Sequence, residues 1–261
     1  MTATGGTPVP VPWAVRIGAA DRDALATLVA ENLESFTERE VLLVLGHSYV
    51  TTAIVEQVVR TRAFLRVRSV RRALATHPAT PRADALRMLD DLGWRDLAAV
   101  ARDVRAPAPV RQVANRRLLE VLRRLSKGEK AALARLADRD LFQALLEEND
   151  PMVVEALCQN SRLTAEDLVR WLTVGRAARD AVEMLAGTKR WSGRPAVREA
   201  LIRHRQTPRA AALTLLVSAT RPEWLRLAGD ETLPVLLRAW AQRLADSPTS
   251  FIDRRRRGVL T

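Results

Sequence analysis

The sequence predicts an all-α protein, a right-handed α-solenoid of stacked helix pairs, and two observations support that prediction. The segments 70–89 and 197–216 are identical at twelve of twenty aligned positions, without a gap. A valine followed by a small residue also recurs at intervals of about 40 residues, which is the length of two helices and their turns. Stacked units of this kind need no internal domain boundary.

The recurring valines mark the predicted first helix of each unit. They are Val70, Val110, Val153, Val197 and Val235, and a proline stands close to the last four, as expected at a helix start. No sustained alternation of apolar and polar residues is bounded by hairpin turns, so we expect no β-sheet.

Helix starts are also marked by capping residues. A hydroxyl residue followed three positions later by glutamate predicts a capping box, in which two backbone donors of the first turn are satisfied. A threonine directly before proline predicts a cap with proline at the first helical position. The boxes are Thr37 with Glu40, Ser126 with Glu129 and Thr220 with Glu223, and the Thr-Pro pairs are Thr80-Pro81 and Thr207-Pro208.

The units at 70–81 and 153–164 read Val-Arg-Arg-Ala-Leu-Ala-Thr-His-Pro-Ala-Thr-Pro and Val-Val-Glu-Ala-Leu-Cys-Gln-Asn-Ser-Arg-Leu-Thr. They resemble HEAT-like repeats and the leucine-rich repeat variant of bacterial α-solenoid proteins, over roughly residues 65–245. The motifs are structural, so the resemblance implies a fold and no activity. The asparagine position of the variant is filled here by His77, Arg117, Asn160 and His204.

Composition divides the chain into three predicted parts. Residues 1–20 are rich in glycine and proline and predict a flexible arm, residues 21–246 form the repeat domain, and residues 247–261 are a basic tail containing Arg254–Arg257. No secretory signal or membrane span is predicted. One cysteine suits a reducing compartment, so we expect a cytoplasmic protein.

Charge provides the main indication of a ligand. The net charge is +12, and residues 61–130 alone carry +10. Stacking would bring two arginine groups, near residues 62–72 and 111–117, side by side as a surface that attracts polyanions. The candidate binding residues are Arg62, Arg66, Arg71, Arg72, Arg111, Arg116 and Arg117, with Arg198 and Arg203 as their equivalents in the later repeat.

The same arginines also fit a solvated helix face. Only three of the 42 basic residues are lysine, a bias that a GC-rich genome produces, and arginine stems cover apolar surface well. Glu120 lies within a helical turn of several arginines and balances part of their charge. Both interpretations stay open at this stage.

The sequence contains no recognisable catalytic set. His77 and His204 share the position of Asn160 near a predicted helix end, which favours a capping role over catalysis. Cys158 is expected to be a buried core residue, and it cannot supply the cysteine-bound cluster associated with some leucine-rich repeat variants; no cofactor or metal is expected. The segment 187–194 either presents Trp191 to a phosphate or base or packs that tryptophan against the neighbouring repeat, and we favour packing.

We therefore expect a non-enzymatic scaffold that binds a protein or peptide partner through an extended surface. The alternative is a nucleic-acid-binding protein that uses the basic 61–130 segment on the DNA backbone. That alternative resembles the HEAT-like alkylpurine DNA glycosylases, although their catalytic Asp with flanking aromatic residues has no counterpart here.

Overall fold

The computed structural model describes residues 12–247, and every regular element in that range is helical, as predicted. Residues 1–11 of the predicted arm and Arg254–Arg257 of the predicted tail lie outside this range. The rest of the predicted arm includes a short helix. The chain divides into two compact units, Met1–Arg123 and Arg124–Thr261.

The first unit contains nine helices within its described residues, with a single 3-10 turn at Leu33–Ser35. The helices are α1 (Trp13–Gly18), α2 (Arg22–Asn32), α3 (Glu38–Leu45), α4 (Thr52–Arg60), α5 (Arg62–Leu65), α6 (Arg68–Thr76), α7 (Arg82–Met88), α8 (Trp94–Arg102) and α9 (Ala108–Leu122).

The second unit contains ten helices as far as Ser247, with a 3-10 turn at Arg139–Leu141. The helices are α10 (Lys127–Leu136), α11 (Phe142–Glu147), α12 (Pro151–Cys158), α13 (Ala165–Val174), α14 (Arg179–Gly187), α15 (Lys189–Ser192), α16 (Pro195–Arg203), α17 (Arg209–Ser218), α18 (Arg221–Ala228) and α19 (Val235–Asp246).

The two units are internal copies of one helix arrangement. The helices α3–α9 and α13–α19 correspond in order, and each pair of helix starts is separated by the offset that separates Val70 from Val197. The contacts also correspond: α6 packs on α3 and α8 in the first unit, and α16 packs on α13 and α18 in the second. The repeat detected in one short segment of sequence therefore extends across most of each unit.

The interval between the starts of the corresponding packed helices is shorter than the valine spacing predicted. Helices α3, α6 and α8 begin at positions 38, 68 and 94, and α13, α16 and α18 begin at 165, 195 and 221 with the same two intervals. Val70, Val110, Val153 and Val197 are each the third residue of a helix and fully buried. Val235 was placed wrongly in this series, because it is exposed and the buried equivalent of Val110 is Leu237.

Capping follows the sequence closely. All three predicted capping boxes form, and Thr164 with Asp167 makes a fourth at the start of α13. The Thr-Pro pairs differ from the prediction, because α7 and α17 begin one residue after the proline. Between the caps, a core of leucine, valine and alanine with a few large aromatic side chains fills each unit.

Candidate binding surface

Arg71 and Arg117 come from the two arginine groups that were expected to be neighbours, and they bind adjacent carboxylates. Arg71 Nη1 lies 3.1 Å from a carboxylate oxygen of Asp91, and Arg117 on α9 forms an ion pair with Asp90. Both aspartates follow α7. The structure therefore brings these two candidates together, and each already has an intramolecular partner.

Arg72 holds a buried carboxylate rather than an outside ligand. Together with Arg68 it binds Asp96, the third residue of α8, with Arg72 Nη1 3.4 Å from Asp96 Oδ1. The equivalent acid in the second unit, Glu223, receives a hydrogen bond from the hydroxyl of its N-cap residue. Helix α8 is preceded by Gly93, which has no hydroxyl, so two arginines stabilise Asp96 instead.

Arg198 and Arg111 directly follow a recurring valine and serve the same structural purpose. Each donates from Nη1 to the carbonyl five positions earlier, Arg198 to Gly193 at 3.2 Å and Arg111 to Ala106 at 2.7 Å. Arg198 also forms a bidentate ion pair with Glu223, with both side chains buried. This position of the repeat is therefore used to hold the fold together.

Arg203 belongs to a four-residue charge network in the second unit. Its Nη1 lies 2.8 Å from Glu199 and its Nε lies 2.6 Å from Asp230, while Arg226 reaches Glu199 at 3.0 Å. Hydrogen bonds from Thr232 and from Arg203 lower the pKa of Asp230 to about 2. The network therefore keeps its charges at any physiological pH.

Three of the nine candidates are exposed and uncommitted. Arg62, Arg66 and Arg116 have no hydrogen bond or ion pair from their side chains to any residue between 12 and 247. They are the candidates whose charge is available to an outside anion.

The histidines close turns at helix ends. Nδ1 of His77 accepts the backbone N–H of Ala79 at 3.1 Å, and Nδ1 of His204 accepts that of Gln206 at 3.3 Å. Asn160 makes the same bond through Oδ1, and its Nδ2 also donates to two carbonyls at the C-terminal end of α10. The predicted position at a helix end is confirmed, but only Asn160 bonds carbonyls, whereas both histidines accept a backbone N–H within the turn.

His47 closes a turn in the same way, and sequence reasoning missed it as a member of this series. Its Nδ1 accepts the N–H of Tyr49 at 3.3 Å, after the end of α3. A signal was present, since His47 precedes His77 by the same interval at which α3 precedes α6. The repeat pattern therefore begins before residue 65.

Trp191 packs inside the protein, the interpretation that the sequence favoured. It is fully buried on the short helix α15, and its Nε1 donates to the carbonyl of Cys158 at 3.0 Å. Arg190 and Arg194 place their guanidinium groups 5.1 and 4.7 Å from its ring centroid. No face of this ring is open to a nucleic-acid base.

Cys158 lies buried at the end of α12 with its thiol protonated. Burial raises the pKa of the thiol to about 12. In the described part of the chain, no group of three or more His, Cys, Asp or Glu side chains is placed to hold a metal ion. No helix between residues 12 and 247 is both long and apolar enough to cross a bilayer.

Helix α19 exposes large apolar side chains. Val235, Leu236 and Trp240 on α19 are 72%, 50% and 38% exposed, and Leu236 and Trp240 are one helical turn apart. Arg243 lies 5.9 Å from the Trp240 ring centroid. We call Val235, Leu236 and Trp240 the α19 face. It combines an aromatic residue, aliphatic residues and a nearby cation, the composition typical of protein-binding surfaces.

No family model, no curated protein and no solved structure matched the chain.

Proposed function

We propose that the chain is a non-enzymatic helical-repeat scaffold that binds a protein or peptide partner, with the α19 face as a principal contact. We also propose that the rows α3–α6–α8 and α13–α16–α18 are parts of HEAT-like α-solenoid stacks. The two rows share the same pair of intervals between helix starts, and this supports the assignment.

The observation that carries the proposal is the difference between α19 and its internal copy α9. The residues of α9 equivalent to Val235, Leu236 and Trp240 are the smaller Ala108, Pro109 and Val113. The larger residues in α19 leave between 38% and 72% of their surface exposed. Exposed aromatic and aliphatic side chains of this kind contribute most when a partner buries them.

The ion pairs that the candidate arginines form inside the protein support the same proposal. Arg71, Arg72, Arg117, Arg198 and Arg203 each form an ion pair with a carboxylate of their own unit. Their charges are therefore largely neutralised locally. At these five positions the positive charge thus serves the internal arrangement of helices.

The proposal is tested by quantitative affinity capture from cells of the source organism with three matched baits: the wild-type chain, Leu236→Ser/Trp240→Ala, and Val104→Ser. Val104 is 84% exposed in the first unit and provides the control for removing an exposed apolar side chain. We expect a protein captured by the wild type and by V104S to be lost from the α19 double variant. Equal capture by all three baits would contradict the assigned surface, and capture of no protein would contradict the scaffold function.

Nucleic-acid binding is the second candidate, and the three uncommitted arginines Arg62, Arg66 and Arg116 support it. Backbone binding needs several phosphate contacts, each of which contributes to a steep salt dependence. Only three of the nine candidate arginines are free in this way, so we place this candidate after protein binding.

A further inference from the structure

A hollow opens between the C-terminal ends of α13 and α16 in the second unit. Its volume is about 630 Å³, and its walls include the apolar side chains of Val169, Leu172 and Ala200. His204 and Arg205 lie at its end, in the turn that follows α16. The hollow therefore combines an apolar wall with a polar, cationic end.

The first unit has a hollow at the equivalent place, between the ends of α3 and α6. Its volume is about 340 Å³. Leu45, Ala73 and His77 line it, and at the offset of the internal repeat they correspond to Leu172, Ala200 and His204. The hollow is thus a reproducible feature of the repeated unit, and the second copy is the larger.

The turn geometry fixes which nitrogen of His204 carries the proton. Nδ1 accepts the N–H of Gln206, so in the neutral ring the proton is on Nε2. Burial and the nearby charge of Arg205 both lower the pKa of His204, so the ring is neutral at pH 7. Its Nε2–H is a hydrogen-bond donor.

That donor is buried without a partner. The His204 residue is 7% exposed, and Nε2 has no hydrogen-bond partner in the protein. Leaving a buried donor unpaired is costly, and an acceptor that reaches it recovers the loss. His204 lines this hollow and a second one of about 440 Å³ on the other side of the turn, so its ring lies between two open spaces.

Arg205 supplies an uncommitted positive charge beside this donor. Its guanidinium is exposed, with no ion pair to a residue of the described range, whereas Glu199 in the same hollow is held by Arg203 and Arg226. In the first unit, Arg105 lines the hollow beside His77, but it is paired with Asp103 at 2.9 Å. The second hollow therefore offers an anion more free charge.

We propose that the hollow between α13 and α16 binds a carboxylate that carries a short branched apolar chain. One carboxylate oxygen accepts a hydrogen bond from His204 Nε2–H, and the other forms an ion pair with Arg205. The apolar chain of the ligand lies against Leu172 and Val169. The exposed side chain of Arg205, which has no ion pair in the described range, reorients as the ligand enters, while Arg203 stays paired with Glu199 and Asp230. A free acid and the C-terminal leucine of a peptide share this chemistry.

The test uses 4-methylpentanoate and its amide as free probes. A second pair is the acetylated peptide Gly-Ser-Gly-Ser-Gly-Leu with a free or an amidated C-terminus. Long-range ¹H–¹⁵N NMR spectra resolve the three histidines of the chain, and substitution assigns them. We expect one or both carboxylates to shift the His204 Nε2 signal, with a dissociation constant of roughly 1 mM for a ligand of this size, and neither amide to do so.

Variants identify the residues that bind the probe. His204→Asn keeps the turn, since Asn160 closes the equivalent turn through Oδ1, and its Nδ2 takes the place of the ring Cδ2, so no donor remains at the position of Nε2. Arg205→Gln removes the charge, and Arg221→Gln, at an exposed position on α18, is the matched control. Ligand-observed NMR should show at least a tenfold loss of binding for H204N and R205Q and no change for R221Q.

Two results would overturn the proposal: equal shifts with the carboxylates and the amides, or equal weakening by R205Q and R221Q. Binding of the free acid alone identifies a small-molecule site, and binding of the peptide alone identifies a peptide terminus as the ligand. Only this second case rests on the proposed scaffold function. Failure of the α19 capture experiment leaves the free-acid result unaffected, so the two proposals fail separately.

Discussion

Arg198 on α16 and Glu223 on α18 form three hydrogen bonds, of 3.1, 2.8 and 2.9 Å, with both side chains more than nine-tenths buried. Burial by itself would raise the pKa of Glu223, but hydrogen bonds from Thr220 and Arg198 outweigh it and lower the pKa. The pair therefore stays ionised and joins two neighbouring helices of the row.

Glu223→Ala should destabilise the second unit by about 3–5 kcal/mol, because it leaves the guanidinium of Arg198 buried without its counter-charge. Urea unfolding followed by circular dichroism measures the loss. Glu166→Ala, at an exposed acid on α13, should change the free energy of unfolding by no more than about 0.5 kcal/mol. Arg198→Met/Glu223→Leu should recover most of the stability, and a double variant as unstable as E223A would contradict the unpaired-charge explanation.

Stability should fall as the pH drops below about 6.5. Burial and neighbouring arginines lower the pKa values of His77 and His204 in the folded protein. As the pH falls, the unfolded chain therefore takes up protons at these two histidines at a higher pH than the folded protein does. The contribution of the two neutral histidines to the free energy of unfolding is complete above 6.5, the pKa in the unfolded chain. It is lost as the pH falls toward their lower pKa in the folded protein. Asp230, with a pKa of about 2, titrates in a separate, lower range.

The variant His77→Asn/His204→Asn tests this dependence. Its free energy of unfolding should change less than that of the wild type between pH 7.5 and 5.5, since each histidine contributes at most about 1.4 kcal/mol per pH unit. Parallel curves for the two proteins would assign the pH dependence to other groups.

Cys158 should be inert in the folded protein. With a thiol pKa of about 12, its thiolate fraction at pH 8 is on the order of a thousandfold below that of an exposed cysteine. Reaction with Ellman's reagent should therefore be negligible in buffer and complete within minutes in 8 M urea. Rapid labelling of the native protein would mean that α12 opens readily.

A fluorescent 20-base-pair duplex should bind only weakly. We expect a dissociation constant above about 10 µM at 150 mM salt, because six of the nine candidate arginines are engaged within the fold. Arg62→Glu/Arg66→Glu/Arg116→Glu should abolish any binding seen at 50 mM, while Arg22→Glu on α2 serves as the control. Binding of 1 µM or tighter at 150 mM that the triple variant loses would make nucleic acid the first candidate.

The sequence predicted the helical class and the capping boxes because these depend on residues within one or two turns of each other. Thr80-Pro81 was misplaced by one residue because proline also fits the N-cap position, where its backbone is extended. The equivalence of α3–α5 with α13–α15 was not visible, since most of the side chains differ while the helix starts are kept.

The partners of the arginines were beyond sequence reasoning. Arg71 and Arg198 occupy the same position of the repeat, yet one binds Asp91 and the other Glu223. The choice depends on which acid the next helix presents and on the neighbouring side chain, Arg72 in one copy and Glu199 in the other. Such a choice is made across the helix interface and leaves no local signal.

The difference between Arg72 and Glu199 affects how a chain with two copies of one helix arrangement avoids exchanging α6 and α16 during folding. In the native arrangement Arg72 faces Asp96 and Glu199 faces Arg226, so both contacts are attractive. If α16 took the place of α6 during folding, Glu199 would meet Asp96, and the reverse exchange would set Arg72 against Arg226. Like charges at both wrong junctions oppose the exchange of helices between duplicated segments, a characteristic hazard of tandem architectures.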